Sequence, residues 1–148
     1  MIAIGADHGG YEFKIEIKKY LDEVGIEYID FGTDSPERTD YPIYASKVAK
    51  AIQSGQCDTG ILICKSGYGM TIVANKYKGV RCATCYNEET ARHAKSNDDV
   101  NVIALPGEYI DISDAVVIIR TWLGTEFMGG RYEERQKMIR DIENENFK

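Results

Sequence analysis

Cys64 closes the apolar run 61–64 and is followed by the glycine-rich turn Ser66-Gly67-Tyr68-Gly69 and a helix-favouring stretch. If the run is a strand, the thiol sits at its C-terminal end, where open α/β sheets place their ligand crevices. A helix start just beyond it offers free N–H groups and a dipole that lower a thiol pKa and present donors to an oxyanion. That arrangement suits a thiolate base beside a phosphorylated substrate. A buried strand-end cysteine with no chemistry fits the same segment equally well. Asp7-His8-Gly9-Gly10 follows the first strand-like run directly and therefore reaches the same edge. This pair can bind sugar hydroxyls or shuttle protons; the plainer reading is an N-cap aspartate beside a solvated histidine. Two such segments converging on one edge favour a site. Arg131 and Arg135, four apart, share a face if they are helical and can grip one phosphate. Taken alone, solvated surface arginines explain them as well.

Other chemistries find less support. The turn at 66–69 contains G-x-G, but Ile72 occupies the third glycine position and the turn follows the third strand-like run, not the first. Dinucleotide binding is therefore not expected. Cys82 and Cys85 form a C-x-x-C inside a strand-like segment, where residues three apart point to opposite faces. With His8 and His93 the whole histidine complement, neither a metal site nor a disulfide is expected. A net charge of −6 argues against nucleic acid or an anionic membrane as partner. No apolar stretch approaches the roughly 20 residues of a membrane span, and the start MIAIGADHGG lacks the form of a signal peptide. A cytoplasmic protein is expected.

The elements that must position these groups alternate along one domain, 1–148. Strands are predicted at 1–5, 27–31, 61–64, 80–85 and 100–105. Helices are predicted at 11–24, 43–54, 70–76, 88–96, 112–123 and 130–145. Phe13, Ile17, Tyr20, Leu21 and Val24 give the first helix its apolar stripe. Alternation of this kind means an α/β fold with a parallel sheet and helices on both faces. The last helix, rich in charge with Met138, Ile139 and Ile142 as its apolar residues, suits packing across a neighbouring subunit better than a core.

Together these segments resemble the ribose-5-phosphate isomerase B family, which includes the galactose-6-phosphate isomerase subunits. The resemblance spans nearly the whole chain and rests on IAIGADHGGYEFK, IDFGT, ERTDYPIYAS, GILIC-x-SG-x-GM-x-I-x-ANK, DD-x-NV-x-AL and TEF-x-GGR-x-x-x-R. It implies a Rossmann-like three-layer α/β/α sandwich with a five-stranded parallel sheet. It also implies a homodimer or dimer of dimers, no cofactor or metal, and aldose–ketose isomerisation of a sugar phosphate through an enediolate. Cys64 matches the catalytic cysteine. Lys65, Ser66, Gly67, Tyr68 and Gly69 match the oxyanion-stabilising loop, with Ser66 among its catalytic positions. Asp7 and His8 match substrate-binding positions, and Arg131 and Arg135 match phosphate ligands supplied by the partner's C-terminal helix.

Four positions depart from the family pattern. Lys65 replaces a glycine, and Glu108 replaces an arginine of the phosphate region. Tyr132 replaces a histidine. Asn97 stands where the family has the histidine assigned to ring opening, followed by Asp98 in place of asparagine. An amide is no general acid–base at physiological pH. His93 lies one helical turn earlier, displaced by about 6 Å along the axis, and is one substitute. A substrate needing no ring opening, such as a tetrose 4-phosphate, is another. Ribose 5-phosphate remains the expected substrate. A different aldose phosphate, including a hexose 6-phosphate such as allose or galactose 6-phosphate, and a non-catalytic sugar-phosphate binder are the alternatives. Lys65 and Glu108 can pair with each other, or Lys65 can contact the substrate.

Overall fold

Apolar runs at the sheet centre and amphipathic helices between them dictate the layering. The computed structural model describes residues 1–147. Its strands are β1 (Ile2–Ala6), β2 (Tyr28–Asp30), β3 (Thr59–Cys64), β4 (Cys82–Thr84) and β5 (Val102–Pro106). Its helices are α1 (Tyr11–Glu23), α2 (Tyr41–Gln53), α3 (Tyr68–Ala74), α4 (Glu88–Asp98), α5 (Ile112–Gly124) and α6 (Arg131–Asn146), with a short 3-10 turn at His8–Gly10. All strand pairs are parallel, in the order β2-β1-β3-β5-β4. The chain moves outward from β1 to β2, then returns to place β3 on the other side of β1. The β1/β3 junction is thus the topological switch point, where such sheets open a crevice beyond their C-terminal ends.

Strand alternation divides the core. Ile4, Ile61, Ile63 and Ile103 face α1, α4 and α5, packing on Ile17, Leu21, Ile118 and Trp122. Leu62, Cys64, Val102 and Ala104 face α2 and α3, packing on Val48 and Met70. The C-x-x-C obeys the same rule, because Cys82 is in the second cluster and Cys85 in the first. All four cysteines are free thiols.

Three predicted boundaries move. Helix α3 begins at Tyr68, not 70, because Gly67 adopts φ +79° and caps the helix, its carbonyl accepting from the Thr71 N–H at 3.0 Å. A glycine read as turn is thus the cap that starts the helix. Helix α2 begins at Tyr41, two residues early, since Pro42 in the first turn needs no N–H partner. Strand β4 shrinks to three residues, framed by side chains that stand in for strands. The Asn75 carboxamide donates to the Cys82 carbonyl at 2.9 Å and accepts the Cys82 N–H at 2.8 Å. Asn101 does the same to the preceding loop, accepting from the Arg81 N–H at 2.8 Å and donating to the Gly79 carbonyl at 2.9 Å. Helix α6 leans on α4 and ties to the loop before β4 through the Glu143 carboxylate, which accepts the Gly79 N–H at 2.6 Å. Met138 and Ile142 remain exposed along it. Among the described residues, no helix is long and apolar enough to cross a membrane.

Candidate active site

Asp7 and Cys64 end the two strands that flank the switch point. The register pairs Ala6 with Ile63, and the Asp7 N–H extends it to the Ile63 carbonyl at 3.4 Å. Gly10 makes this approach possible, since a Cβ there would run into the Ile63 carbonyl. The Asp7 carboxylate accepts the Gly10 N–H at 3.1 Å and caps the turn while remaining almost fully buried. Burial raises its pKa from the ordinary value, against the lowering pull of His8 and the Gly10 and Gly9 N–H groups.

The Cys64 sulfur accepts the Gly67 N–H at 3.2 Å and is 5% exposed. Its pKa runs opposite to expectation. Burial among Leu62, Met70 and Ala104 raises it, and the charge of Asp7 adds to the rise. The N–H groups of Gly67, Met70 and Ser66 pull it down by less. A helix does start just beyond the cysteine, at Tyr68, but desolvation outweighs it. The sulfur and the carboxylate therefore form a buried pair of acids in which charging one penalises charging the other. The loop N–H groups are donors placed to accept negative charge, from the thiolate or from an oxyanion bound above it.

The loop itself is well braced. Ser66 Oγ accepts the Tyr68 N–H at 3.2 Å, and Gly69 lies under the ring of Tyr41, which a Cβ would strike. Tyr41 was not singled out from sequence; its signal was confined to the stretch ERTDYPIYAS. The Tyr68 ring packs on Tyr86 at 6.4 Å and 59°. Burial, the Tyr68 hydroxyl and Tyr109 push the Tyr86 hydroxyl up to about 12.

His8 is exposed, and its Nδ1 is tied to the Thr39 backbone, 3.0 Å from the carbonyl and 3.2 Å from the N–H. Lys65 leaves the strand end on the α1 side, away from the sulfur. Its stem passes Gly9, and its ammonium lies 3.9 Å from Glu108, whose neighbours include Glu12 and Phe13. The pairing of the two atypical residues is what the structure shows. Also unsignalled in sequence is Lys14, 2% exposed, which donates to both Asp30 carboxylate oxygens at 2.7 and 2.9 Å and to the Thr33 carbonyl at 2.5 Å. It fixes the turn after β2 beside Ala6, which exchanges 2.7 Å hydrogen bonds with Gly32 and Thr33.

The remaining predicted residues lie elsewhere in the chain. Helix α4 runs back against the sheet, so Asn97 and Asp98 sit near the N-terminal ends of the strands, where Asn101 accepts the Gly60 N–H at 2.9 Å. Cys64 is at the other end of β3, roughly 17 Å away along the strand. Asn97 is half-buried and accepts a 2.8 Å bond from Ser96; His93 and Asp98 are exposed. The Met128 N–H bonds the Ser96 carbonyl at 3.0 Å, which brings the start of α6 to this same region. There the exposed Arg131 and Arg135 guanidinium groups stack on Tyr132 at 5.1 and 5.5 Å. The chain thus carries its candidate residues in two regions, Asp7, His8 and Cys64 with the loop at one end of the sheet, and Asn97 with the start of α6, which bears Arg131 and Arg135, towards the other. Among the described residues, no group of three or more His, Cys, Asp or Glu is placed to hold a metal ion.

Comparison with known proteins gives a consistent family. A model described as ribose/galactose isomerase matches residues 2–139. The chain is 44% identical over 142 residues to ribose-5-phosphate isomerase B of Escherichia coli, covering 96% of this chain and 95% of that one. It is 41% identical over 130 residues to D-erythrulose-4-phosphate isomerase of Pectobacterium atrosepticum, covering 87% and 86%. The solved structure of ribose-5-phosphate isomerase B from Clostridium thermocellum superposes with a TM-score of 0.95 at 46% identity, covering 97% of each chain.

Proposed function

The chain belongs to the ribose/galactose isomerase family, and on that premise we propose that it interconverts ribose 5-phosphate and ribulose 5-phosphate, with Cys64 as the base. The observation carrying this reading is the placement of a buried thiol at the switch point, beside Asp7 and under a loop of backbone donors. In the open-chain aldose, the Cys64 thiolate takes the C2 proton. The C–H electron pair becomes the C1=C2 bond of an enediolate, and the carbonyl electrons move onto O1. The N–H groups of residues 65–69 stabilise that oxygen. The proton then returns to C1 from the thiol, while the O2 proton passes to O1, giving the ketose. Asp7 and His8 hold the sugar hydroxyls.

The second cluster completes the site from another copy. Asn97, Arg131 and Arg135 lie together but at the far end of the sheet from Cys64, so one protomer does not offer its own base and its own phosphate ligands to one substrate. A homodimer in which each copy's arginines reach the other's Cys64 crevice brings them together, in keeping with the resemblance and the exposed apolar residues of α6.

Asn97 favours a second reading of the substrate. An amide cannot move the proton that opens a furanose, whereas a tetrose 4-phosphate cannot close a furanose through its esterified oxygen. The similarity to an erythrulose-4-phosphate isomerase supports including that substrate. Turnover of ribose 5-phosphate and erythrose 4-phosphate by the same preparation decides between them. Ribose 5-phosphate is expected to be converted, with Cys64→Ala losing about 10²- to 10⁴-fold in kcat, the usual worth of a positioned base. Undiminished turnover in Cys64→Ala removes the cysteine as base. A preference for the tetrose that Asn97→His reverses establishes the second reading.

A further inference from the structure

The imidazole of His8 is held by Thr39, and Thr39 is itself held. Its side-chain hydroxyl lies 2.9 Å from the Tyr44 hydroxyl. The Thr33 and Thr39 side chains beside the phenol lower its pKa. Thr33 is 92% buried by its 8% exposure and is anchored on both sides, its N–H donating to the Ala6 carbonyl at 2.7 Å and its carbonyl accepting from the buried Lys14 ammonium at 2.5 Å. The Tyr44 ring covers Gly32, where a Cβ would come within 2.9 Å of it. A line of contacts therefore runs from the Lys14–Asp30 ion pair through the Gly32–Thr33 turn, the Tyr44 ring that covers it and Thr39 to His8.

We propose that Tyr44 is a positioning residue for substrate binding, joining the Gly32–Thr33 turn under its ring to Thr39 through its hydroxyl so that Thr39 orients the His8 ring toward the substrate. This rests on the reading of His8 as a substrate ligand. The connection from Thr33 to Thr39 spans a largely exposed loop, so without the bridge Thr39 is held only by its chain neighbours and by the His8 ring it is meant to orient. Thr39 offers Nδ1 both a donor and an acceptor, so it holds the ring in either tautomer. Nε2 remains the nitrogen available to a sugar oxygen. Besides Thr33 and Thr39, the charged groups around the phenol are Lys47, 5.6 Å from its ring centre, and Asp34.

Two measurements on Tyr44→Phe test this, one of them independent of turnover. The chain has two histidines, His8 and His93, so long-range proton–nitrogen NMR separates their ring signals directly. Tyr44→Phe is expected to shift the His8 Nδ1 signal and leave His93 unmoved. It is also expected to raise KM for ribose 5-phosphate about fivefold with kcat within about twofold, the worth of one hydrogen bond felt at binding. Thr39→Ser, which keeps the hydroxyl, should match the unaltered protein in both. In a His8→Ala background the Tyr44→Phe effect on KM should vanish. A His8 signal that does not move, a KM that does not rise, or a KM effect that persists without His8 each overturns the proposal. Failure of the isomerase reading shows itself differently, as absence of turnover in the unaltered protein, and the NMR result stands apart from it.

Discussion

Asp7 and Cys64 sit side by side, one residue beyond the Ala6–Ile63 pair of the β1–β3 ladder, so a buried carboxylate faces a buried thiol across the switch point. Burial and, to a smaller extent, the Asp7 charge raise the energy of charging the sulfur. The pH profile follows from this. If Cys64 is the base, its thiolate is the active form, and burial and Asp7 place its pKa above that of an ordinary cysteine. Activity should therefore climb with pH through neutrality and level off only above the ordinary thiol range. Asp7→Asn removes the repelling charge but keeps an oxygen for the Gly10 N–H. Its alkaline limb should move to lower pH, even where kcat falls through lost substrate contacts. A limb that stays in place would show that Asp7 does not sense the sulfur.

The same substitution has a stability consequence of opposite sign to its functional one. A carboxyl whose folded pKa is raised favours the folded state while it is protonated, and that advantage is lost as pH rises through the raised value. Asp7→Asn should therefore melt higher than the unaltered protein near neutral pH, with the gap closing in acid. Calorimetry across that range reads the convergence. A gap that does not depend on pH would assign the effect to packing instead.

Asp30 works the other way. Burial alone would raise its carboxyl, but Lys14, Lys18 and the Gly32 N–H together hold it below the usual carboxylate range. Its stabilising contribution is present above the unfolded pKa and disappears as pH falls through the depressed folded value. Asp30→Asn leaves the Lys14 ammonium buried with a carbonyl as its remaining strong partner. The expected cost is about 3–5 kcal/mol, the range for breaking a buried ion pair. Urea unfolding at neutral pH measures it, and a cost below about 1 kcal/mol would mean that Lys14 escapes to solvent.

Asn75 holds both main-chain groups of Cys82, so it covers the outer edge of β4. Asn75→Ala exposes an N–H and a carbonyl that α3 otherwise shields, at a cost of about 1–3 kcal/mol. Hydrogen exchange should quicken at Cys82 and much less at Ile61 and Ile63. Uniform acceleration would instead point to global destabilisation.

What the sequence made legible divides along the range of the forces involved. The parallel α/β order, the strand-end positions of Asp7 and Cys64 and the opposed faces of Cys82 and Cys85 follow from local periodicity. The direction of the Cys64 pKa did not, because the helix start is written beside the cysteine whereas the desolvating side chains of Met70 and Ala104 arrive through packing. Lys14 reads in sequence as one more helix-surface lysine; its partner Asp30 is a strand away. Tyr41 over Gly69 and Asn75 along β4 were equally silent, being contacts between segments. The distance between Asn97 and Cys64 emerges from α4 running back across the sheet, which no motif records.

That separation yields the last prediction. If the arginines that bind phosphate belong to the partner, each site joins Cys64 of one copy to Arg131 and Arg135 of the other. Cys64→Ala and Arg131→Ala homodimers should both be nearly inactive. In a mixed dimer, one site unites the two altered residues and is dead, while the other unites two intact ones and is whole. Co-refolding equal amounts of the variants forms mixed dimers in about half of the population, so about a quarter of the sites should be intact. Activity returning to that fraction places Arg131 in trans to Cys64. Activity that stays at the level of the separate variants places both residues in one protomer's site and requires α6 to move from its contact with Gly79.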